Sequence, residues 1–398
     1  MFAENEGVTT IPPVAEVRRR RVVLLGATGS IGRQCCDVIA RFPERFELVG
    51  AAAGSDVDGL TAVVERFGVA RSAVLAPAAA ISRPGTMGSG QAAVCEVAAM
   101  ECDVVCVAIP GAAALAPTLA AVDAGRTTAT ATKEVLVMAG ELVKARAAAT
   151  GARILPVDSE HSALWQCLRG EAAGSVRRLV LTASGGPFRE RDPATFAQIT
   201  VEEALRHPTW TMGPKVTIDS ATMMNKGLEI IEAHFLFDMP YPRIGVVIHP
   251  RSIVHSFVEF IDGAVVAQLG VPDMRVPIAL AIADGERLPG IAPHVQLTDG
   301  HPLEFFAVDG DRFPAVDLAR TAGERGGVAP AALNAANEVA VAAFLDHRIG
   351  YDGIVPLVAE AVGSAPAVVT PSLEDILEAD AWARDFATAR LASVVSPA

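Results

Sequence analysis

Two acidic residues follow a short apolar run in the first half of the chain. The segment 154–166 reads ILPVDSEHSALWQ. If the extended conformation of the run continues, the carboxylates of Asp158 and Glu160 project to the same side of the backbone. Two neighbouring anions repel each other unless a cation offsets them, and carboxylate oxygens suit a hard divalent ion such as Mg²⁺ or Mn²⁺. The sequence therefore predicts a divalent metal site that contains both side chains.

A second polar group lies on a predicted helix that spans residues 220–237, with Ser220 at its N-cap. Four polar side chains share one helical face at positions i, i+3, i+4 and i+7: Thr222, Asn225, Lys226 and Glu229. The start of this face suits a phosphate, because it offers a hydroxyl, an amide, an ammonium and the helix dipole. Glu229 lies one turn deeper, where it could reach the metal. An ordinary solvated face with a Lys226–Glu229 pair is the alternative.

Two loops add residues that could bind an anionic ligand. The sequence TASGGPF places Ser184 and two glycines after a predicted strand, where backbone N–H groups can surround phosphate oxygens. The segment 207–215, HPTWTMGPK, combines Trp210 and Met212 with proline and glycine, which is typical of a flap that closes over a ligand. We call this segment the flap. A buried, purely structural Trp210 is the alternative.

A glycine-rich loop near the N-terminus predicts a dinucleotide site. VVLLGATGSIG places Gly26, Gly29 and Gly32 between a predicted strand and a predicted helix. Glycines there let the backbone approach a pyrophosphate, which the helix N-terminus stabilises. A structural glycine turn is the alternative. After the second predicted strand the chain continues with Gly54, Ser55 and Asp56, and an acid at this point favours NAD over a 2'-phosphorylated cofactor.

The elements that must position these residues change in character along the chain. Short apolar runs alternate with helical patterns up to residue 158, which predicts an α/β fold that begins with a Rossmann-like, doubly wound parallel sheet. A central α+β part follows, in which HSFVEFIDGAVVAQLG predicts a hairpin with a two-residue turn at Asp262-Gly263. A C-terminal α-helical bundle completes the chain. The predicted divisions are an extension (1–20), a dinucleotide-binding domain (21–158), an α+β domain (159–284), a linker (285–315) and a helical domain (316–398).

Composition narrows the classes of function. The chain has 398 residues and a formal net charge of −13, which disfavours nucleic acid, and its one basic run, at 18–21, predicts a solvated approach to the first strand. The uncharged run 104–122 contains proline and glycine, so it predicts a strand, a turn and a helix rather than a membrane span. Six cysteines without metal-binding spacing predict reduced thiols in a cytoplasmic protein.

Taken together, the motifs resemble one enzyme family. GATGSIG, KEVLV, VDSEHSALWQCL, TASGGPFR, HPTWTMGPKVTIDSATMMNKGLEIIEAHFLF, IHPRSIVHS and LGVPDMRVPIALAIA are similar to the motifs of 1-deoxy-D-xylulose 5-phosphate reductoisomerases. The resemblance runs from about Val22 through ALNAANEVAVAAFL in the C-terminal part. It implies an enzyme of non-mevalonate isoprenoid biosynthesis that isomerises this sugar phosphate and reduces the product with NADPH to 2-C-methyl-D-erythritol 4-phosphate.

The resemblance also implies a divalent metal (Mn²⁺, Mg²⁺ or Co²⁺), a homodimer formed by the α+β domain, and a set of site residues. The metal ligands match Asp158, Glu160 and Glu229, and Lys133 and His207 join them as catalytic residues. Substrate contacts match Ser159, Ser184, His207, Ser220, Asn225 and Lys226, with Trp210 and Met212 on the flap. Cofactor contacts match Thr28, Gly29, Ser30, Ile31, Gly54, Ser55, Asp56, Thr132, Lys133, Glu134 and Gly213.

Two departures from the family motifs concern the cofactor site. Thr132 stands where the family usually has asparagine, and Ser55-Asp56 replaces a basic or small residue followed by asparagine, which leaves the choice between NADPH and NADH open. One alternative function is that of a semialdehyde-type dehydrogenase with a reactive Cys167.

Two further alternatives are a non-catalytic NADP(H)-binding paralogue and a reductase of a related sugar phosphate. His249 and His255 are predicted to be structural.

Overall fold

In the computed structural model, the described residues are 18–76, 87–210, 212–298 and 300–394. Most of the predicted extension, residues 1–17, lies outside them. The basic run 18–21 leads into the first strand, and each of its arginines has a guanidinium nitrogen within 3.8 Å of a carboxylate oxygen. These pairs agree with the solvated approach to the first strand that the sequence predicts.

The first sheet is parallel throughout. Its strands are β1 (Arg20–Leu25), β2 (Phe46–Ala53), β3 (Arg71–Val74), β4 (Met87–Ser89), β5 (Val104–Val107), β6 (Thr128–Thr130) and β7 (Ile154–Pro156). They lie in the order β4-β3-β2-β1-β5-β6-β7. The strand order reverses between β1 and β5, so the loops after these two strands open a crevice at the carboxyl edge of the sheet. The doubly wound sheet is confirmed, and the three-residue β4 is an addition that the sequence pattern did not predict.

Helices cover both faces of this sheet: α1 (Ser30–Arg41), α2 (Val57–Phe67), α3 (Gly90–Ala98), α4 (Leu115–Asp123) and α5 (Lys133–Thr150). The uncharged run 104–122 forms β5, a short 3-10 turn and most of α4, as predicted. Within the described part of the chain, no helix combines the length and the apolar character that a membrane crossing requires.

A second, mixed sheet follows. In chain order its region contains α6 (Ser159–Cys167), β8 (Val176–Ala183), α7 (Val201–Ala204), α8 (Pro214–Thr222), α9 (Met224–Phe237), β9 (Ile244–Ile248), β10 (Val254–Phe260) and β11 (Val265–Leu269). The predicted hairpin is β10–β11, but its loop has three residues, because Phe260 N–H donates to the Ala264 carbonyl at 2.9 Å. Gly263 carries the positive φ, 91°.

The last part of the chain contains α10 (Arg275–Ile282), β12 (Phe306–Ala307), α11 (Ala315–Arg325), α12 (Ala329–Leu345), α13 (Tyr351–Ser364) and α14 (Leu373–Val394). The second sheet has the order β11-β10-β8-β9-β12, so the predicted linker supplies an edge strand. Helix α10 packs on the first sheet, where Ile278 and Ala281 share a core with Val22 and Leu24. Helices α11 to α13 share a core with β8 and α9, which places them directly behind the candidate site.

Candidate active site

The glycine-rich loop joins β1 to α1 at the crevice. Gly26 has φ of 90°, and a Cβ there would lie 2.3 Å from the Ala108 carbonyl oxygen at the end of β5. A Cβ on Gly32 would lie 2.1 Å from the Gly26 carbonyl oxygen. Both positions therefore require glycine, and the N-terminus of α1 begins at Ser30 beside the opening. This close approach of backbone to a helix start fits a pyrophosphate group.

Asp56 has a structural explanation that the sequence did not reveal. Its side chain caps α2, because its Oδ1 accepts a hydrogen bond from Gly59 N–H at 2.9 Å. Gly54, Ser55 and Asp56 are all exposed at the end of β2. The carboxylate that would favour NAD is therefore held by its own helix. The acid at position 56 is thus a weaker argument against NADPH than the sequence suggested.

Three carboxylates converge at the other end of the crevice. Asp158, Glu160 and Glu229 each place an oxygen within 4.8 Å of the others. The extended conformation does not continue past β7 as expected, because α6 begins at Ser159 and Asp158 is its N-cap. The Asp158 Oδ1 accepts from Ser159 N–H at 3.0 Å, and Glu160 lies in the first helical turn. The predicted trio is therefore gathered by a helix start rather than by a strand.

Two lysines lie among these acids. Lys133 Nζ is 2.5 Å from Asp158 Oδ2, 2.9 Å from Asn225 Oδ1 and 3.3 Å from Glu229 Oε1. Lys226 Nζ is 2.7 Å from Glu160 Oε1 and also contacts Glu229. Glu229 is 0 % exposed and Lys226 is 3 % exposed. The alternative of a solvated helix face with an ordinary ion pair is therefore excluded.

The buried charges shift one another's protonation. Burial, together with the neighbouring Glu160 carboxylate, raises the pKa of Glu229 to about 7. Burial would also raise the pKa of Glu160, but the Lys226 ammonium outweighs it and lowers that pKa to about 2. When all three carboxylates are ionised, the two ammonium groups leave one negative charge in excess. A divalent cation fits this donor set, since its oxygens are anionic, close together and sheltered from water.

The predicted helix from Ser220 to Phe237 is in fact two helices. Met223 between them has φ of 64°, a left-handed conformation that ends α8 and starts α9. Ser220 is therefore not an N-cap but lies in the last turn of α8. The break puts Asn225 and Lys226 in the first turn of α9, where the helix dipole favours an anion. The anion-binding character predicted for this segment thus comes from a different helix start.

A neutral imidazole joins two hydroxyl groups beside this helix start. His207 Nδ1 accepts from the backbone N–H of Thr209 and Trp210 at 3.2 and 3.0 Å, so Nε2 carries the proton. Nε2 lies 3.0 Å from the Oγ atoms of both Ser184 and Ser220. Burial lowers the pKa of His207 to about 4. At neutral pH this group can donate a hydrogen bond to an anion.

One cavity of about 820 Å³ connects the glycine loop with the carboxylates. All the predicted catalytic and substrate residues line it: Asp158, Glu160, Glu229, Lys133, His207, Ser159, Ser184, Ser220, Asn225, Lys226, Trp210 and Met212. The predicted cofactor residues in its wall are Gly29, Ser30, Ile31, Thr132, Lys133, Glu134 and Gly213. Thr28 and residues 54–56 lie outside this wall. A cavity of this size is typical of a site for small molecules.

The flap forms one side of the cavity. Trp210 is half-buried rather than buried, and its ring centroid lies 6.2 Å from that of His255. Residue 211 lies outside the described residues. His255 also lines the cavity, whereas His249 is 0 % exposed and contacts the Glu304 carbonyl, as a structural residue does. The structure therefore supports a structural role for His249, whereas His255 is placed where it could also contact a ligand.

Some cavity residues were missed by the sequence reasoning. Arg33 follows the glycine loop on α1, and Arg275 on α10 lies 3.2 Å from Asp37. Lys215 Nζ lies 2.8 Å from Asp219 Oδ2 and also contacts Glu134. A basic residue in the first turn after a glycine loop is a local signal that could have identified Arg33. Arg275 contacts Asp37 and Lys215 contacts Glu134, and both pairs join residues far apart in the sequence.

Cys167 does not suit nucleophilic catalysis. It is buried in α6, and burial raises the pKa of its thiol to about 11. A reactive cysteine needs the opposite shift and access to solvent. The semialdehyde-type dehydrogenase is therefore excluded as a rival. All six cysteines are free, in agreement with the predicted reduced thiols.

One cavity joins the glycine loop of the parallel sheet to three carboxylates and to the anion-binding groups around His207. These features define a dinucleotide-dependent, metal-assisted oxidoreductase. Family models agree in detail: the 1-deoxy-D-xylulose 5-phosphate reductoisomerase model matches residues 22–140, and two C-terminal domain models of the same enzyme match residues 154–237 and 269–386. The chain belongs to the 1-deoxy-D-xylulose 5-phosphate reductoisomerase family.

Named relatives are similar over nearly their whole length. The chain is 49 % identical to the reductoisomerase of Kitasatospora griseola over 379 residues, which cover 91 % of this chain and 98 % of the relative. It is 50 % identical to that of Leifsonia xyli over 368 residues, which cover 92 % and 98 %.

Solved structures of reductoisomerases match this fold. The enzyme from Zymomonas mobilis in complex with NADPH matches with a TM-score of 0.87 and 41 % identity, over 94 % of this chain and 99 % of that one. A reductoisomerase in complex with NADPH, fosmidomycin and magnesium matches with a TM-score of 0.89 and 39 % identity, over 95 % and 100 %.

Proposed function

We propose that this chain converts 1-deoxy-D-xylulose 5-phosphate to 2-C-methyl-D-erythritol 4-phosphate with NADPH and a divalent metal ion. It is an NADPH-dependent oxidoreductase of the non-mevalonate isoprenoid pathway. The observation that carries the proposal is the single cavity that joins the glycine loop to three converging carboxylates and to the pocket at the start of α9. Membership of the reductoisomerase family supports the same activity.

NADPH would lie along the carboxyl edge of the first sheet. Gly29, Ser30 and Ile31 at the start of α1 would hold its pyrophosphate. Thr132, Lys133 and Glu134 at the start of α5, with Gly213 across the cavity, would border the nicotinamide. The Thr132 hydroxyl donates to the Ile109 carbonyl at 2.6 Å, which ties the loops after β5 and β6 together. This contact gives Thr132 a structural role in the cavity wall, at the position where the family usually has asparagine.

Asp158, Glu160 and Glu229 would hold the metal ion. When bound, a divalent ion supplies Lewis-acid stabilisation of oxygen charge on the substrate during the rearrangement. Its two positive charges equal those of the Lys133 and Lys226 ammonium groups that face the same acids. Metal binding would therefore free both lysines to contact the anionic substrate. We propose Mn²⁺, Mg²⁺ or Co²⁺ as the ion, since the donors are all carboxylates.

The substrate phosphate would bind beside His207. The Nε2–H group of His207, the hydroxyls of Ser184 and Ser220, and the first turn of α9 with Asn225 and Lys226 surround one side of the cavity. Because the phosphate does not react, its binding energy can be used to hold the substrate and the flap in the reactive arrangement. Trp210 and Met212 on the flap would exclude water from the hydride transfer.

The activity predicts a specific assay result. We expect the purified protein to oxidise NADPH only when 1-deoxy-D-xylulose 5-phosphate and Mn²⁺ or Mg²⁺ are both present, because each group occupies its own part of the cavity. Parallel assays with NADH test the effect of Asp56, and we expect NADPH to be preferred. Turnover only with another sugar phosphate, or NADPH binding without any turnover, would contradict the proposed function.

We further propose that the enzyme is a cytoplasmic homodimer formed through the second sheet. Its two edges expose Val265 of β11 at 57 % and Phe306 of β12 at 52 %, and Ile261 in the hairpin loop beside β11 is 71 % exposed. An exposed apolar sheet edge favours association with a second copy. The free cysteines and the acidic composition suit a reducing, cytoplasmic compartment.

The dimer predicts a particle of twice the 41.3 kDa chain mass in light scattering. Replacing Ile261 and Val265 together with lysine should shift the mass toward one chain, since like charges would face each other across the interface. Val369→Lys is the matched control, because Val369 is 86 % exposed but lies outside the second sheet. A monomeric wild-type protein, or an unchanged dimer in the double variant, would count against this surface.

A further inference from the structure

Lys215 connects the end of the flap to two buried acids. It is the last residue of the flap and the second residue of α8, and its side chain also lines the cavity. Its Nζ lies 3.1 Å from Glu134 Oε1 and 2.8 Å from Asp219 Oδ2. Glu134 is the second residue of α5, next to Lys133. The ion pair therefore spans from the flap to the helix that carries a proposed catalytic lysine.

The contact extends into the C-terminal helices. Asp219 Oδ1 accepts a hydrogen bond from Asn337 Nδ2 of α12 at 2.8 Å. Glu134, Asp219 and Asn337 are 7 %, 1 % and 0 % exposed. Buried charges keep a fixed geometry only when each has a partner, and removal of one partner leaves the others uncompensated. Lys215 is thus the ammonium that holds two acids from different elements in one place.

The ammonium of Lys215 stabilises the ionised forms of the acids that it contacts. Burial would raise the pKa of Glu134, but the Lys215 ammonium outweighs it and lowers that pKa. Lys215 itself faces two carboxylates, whereas Lys133 and Lys226 face the three acids of the metal site. Its ammonium is therefore committed to a structural link beside the site rather than to the reacting atoms.

We propose that Lys215 is a positioning residue that fixes the end of the flap to the start of α5, so that the closed flap and the Lys133 ammonium meet across the bound substrate. This inference rests on the proposed function. Displacing a catalytic group by about 1 Å can cost about 10²-fold in rate, even when the substituted residue does not touch the substrate. The link through Glu134 makes such a displacement the expected effect of losing Lys215.

The test uses Lys215→Met in the full-length enzyme. We expect kcat/KM for 1-deoxy-D-xylulose 5-phosphate to fall by about 10²-fold. The second readout is the tryptophan fluorescence change on adding fosmidomycin at saturating NADPH and Mg²⁺, with Trp210→Phe used to assign the signal to the flap. The fosmidomycin dissociation constant should rise by about tenfold, while that of NADPH stays within about threefold. Lys144→Met is the matched control, since Lys144 forms a surface pair with Asp238.

Two further variants separate positioning from general stability. Lys215→Arg should restore most of the activity, because a guanidinium can contact both carboxylates. Glu134→Gln weakens the link to α5 and should reproduce the loss, and it carries the test if Lys215→Met does not fold. Because Glu134 is also a proposed cofactor contact, the NADPH dissociation constant of this variant is measured as well and should stay within about threefold of the wild type. The double variant should lose no more than the worse single variant, because both remove the same link.

Three results would overturn the inference: unchanged kcat/KM and fosmidomycin affinity in Lys215→Met, the same unchanged values in Glu134→Gln, or additive losses in the double variant. A failure of the proposed function itself is distinguishable, because the wild-type enzyme would then not turn over 1-deoxy-D-xylulose 5-phosphate at all.

Discussion

Replacing Glu229 with glutamine is expected to lower metal-dependent turnover by at least about 10²-fold, the upper end of the effect of losing a residue that only supports a metal ligand. The change removes one of three anionic ligands from the proposed metal site but keeps the shape of the side chain. The fold should tolerate it, because the pKa of Glu229 is already raised to about 7 by burial and by the Glu160 carboxylate. Lys226 keeps its contact with Glu160, and Lys133 keeps its contact with Asp158. Steady-state assays over a range of Mn²⁺ concentrations measure the loss.

The same variant should bind NADPH nearly as well as the wild type, since the glycine loop belongs to the first sheet and Glu229 to α9. Glu360→Gln is the matched control, because Glu360 forms a half-exposed pair with Arg390 on the surface. Unchanged turnover in Glu229→Gln would remove Glu229 from the metal set.

Replacing Lys226 with methionine should weaken substrate binding by about 10²-fold and leave NADPH affinity within about threefold. Lys226 is 3 % exposed in the first turn of α9, so a phosphate contact from its ammonium would be charge-assisted and sheltered from water. Methionine keeps the apolar stem of the side chain. Paired titrations of the variant with substrate and with NADPH measure the two affinities.

Two comparisons make the Lys226 result specific. Lys144→Met removes the same charge from the surface and should change neither affinity. Lys226→Met also removes a partner from Glu160 and Glu229, so a thermal melt should accompany each titration. Equal losses for substrate and NADPH in a folded variant would show that Lys226 does not act at the phosphate.

Local sequence patterns were sufficient for much of the fold and for part of the cavity wall, whereas Lys133, Ser159 and His207 were named only through the family resemblance. The alternation of apolar runs and helical patterns predicts the parallel sheet, because each pattern follows from the geometry of one element. The requirement for glycine at position 32 is equally local, since a Cβ there would meet the backbone of Gly26 and Ala27, which lie just before it in the sequence. The carboxylate trio was predicted correctly as a group that the structure brings within 4.8 Å. Its metal role is still a proposal.

The local geometry of the site could not be predicted in the same way. Met223 adopts a left-handed conformation that splits the expected helix, and nothing in the helical periodicity of residues 220–237 signals it. Asp158 was expected to extend β7, but its carboxylate caps α6 instead. The Asp158 cap is itself a local signal, since aspartate is a preferred N-cap residue, and the interpretation as a continued strand missed it.

Contacts between distant residues were the least predictable part. Lys215 and Glu134 are 81 residues apart, and Asp219 and Asn337 are 118 apart. Their pairing depends on how the two sheets and the C-terminal helices pack, and this information is not contained in any short motif. The core that α9 shares with α11 to α13 also joins residues far apart in the sequence, so no short motif predicts it. Such contacts decide the relative placement of residues that motifs identify one at a time.

The proposed activity requires that Asp158, Glu160 and Glu229 together bind one divalent ion beside the substrate pocket. A calorimetric titration of the purified protein with Mn²⁺ tests it most directly, with Glu229→Gln measured in parallel. We expect one Mn²⁺ per chain for the wild type and an affinity at least about tenfold weaker for the variant. Equal Mn²⁺ affinity and stoichiometry in the two proteins would contradict it.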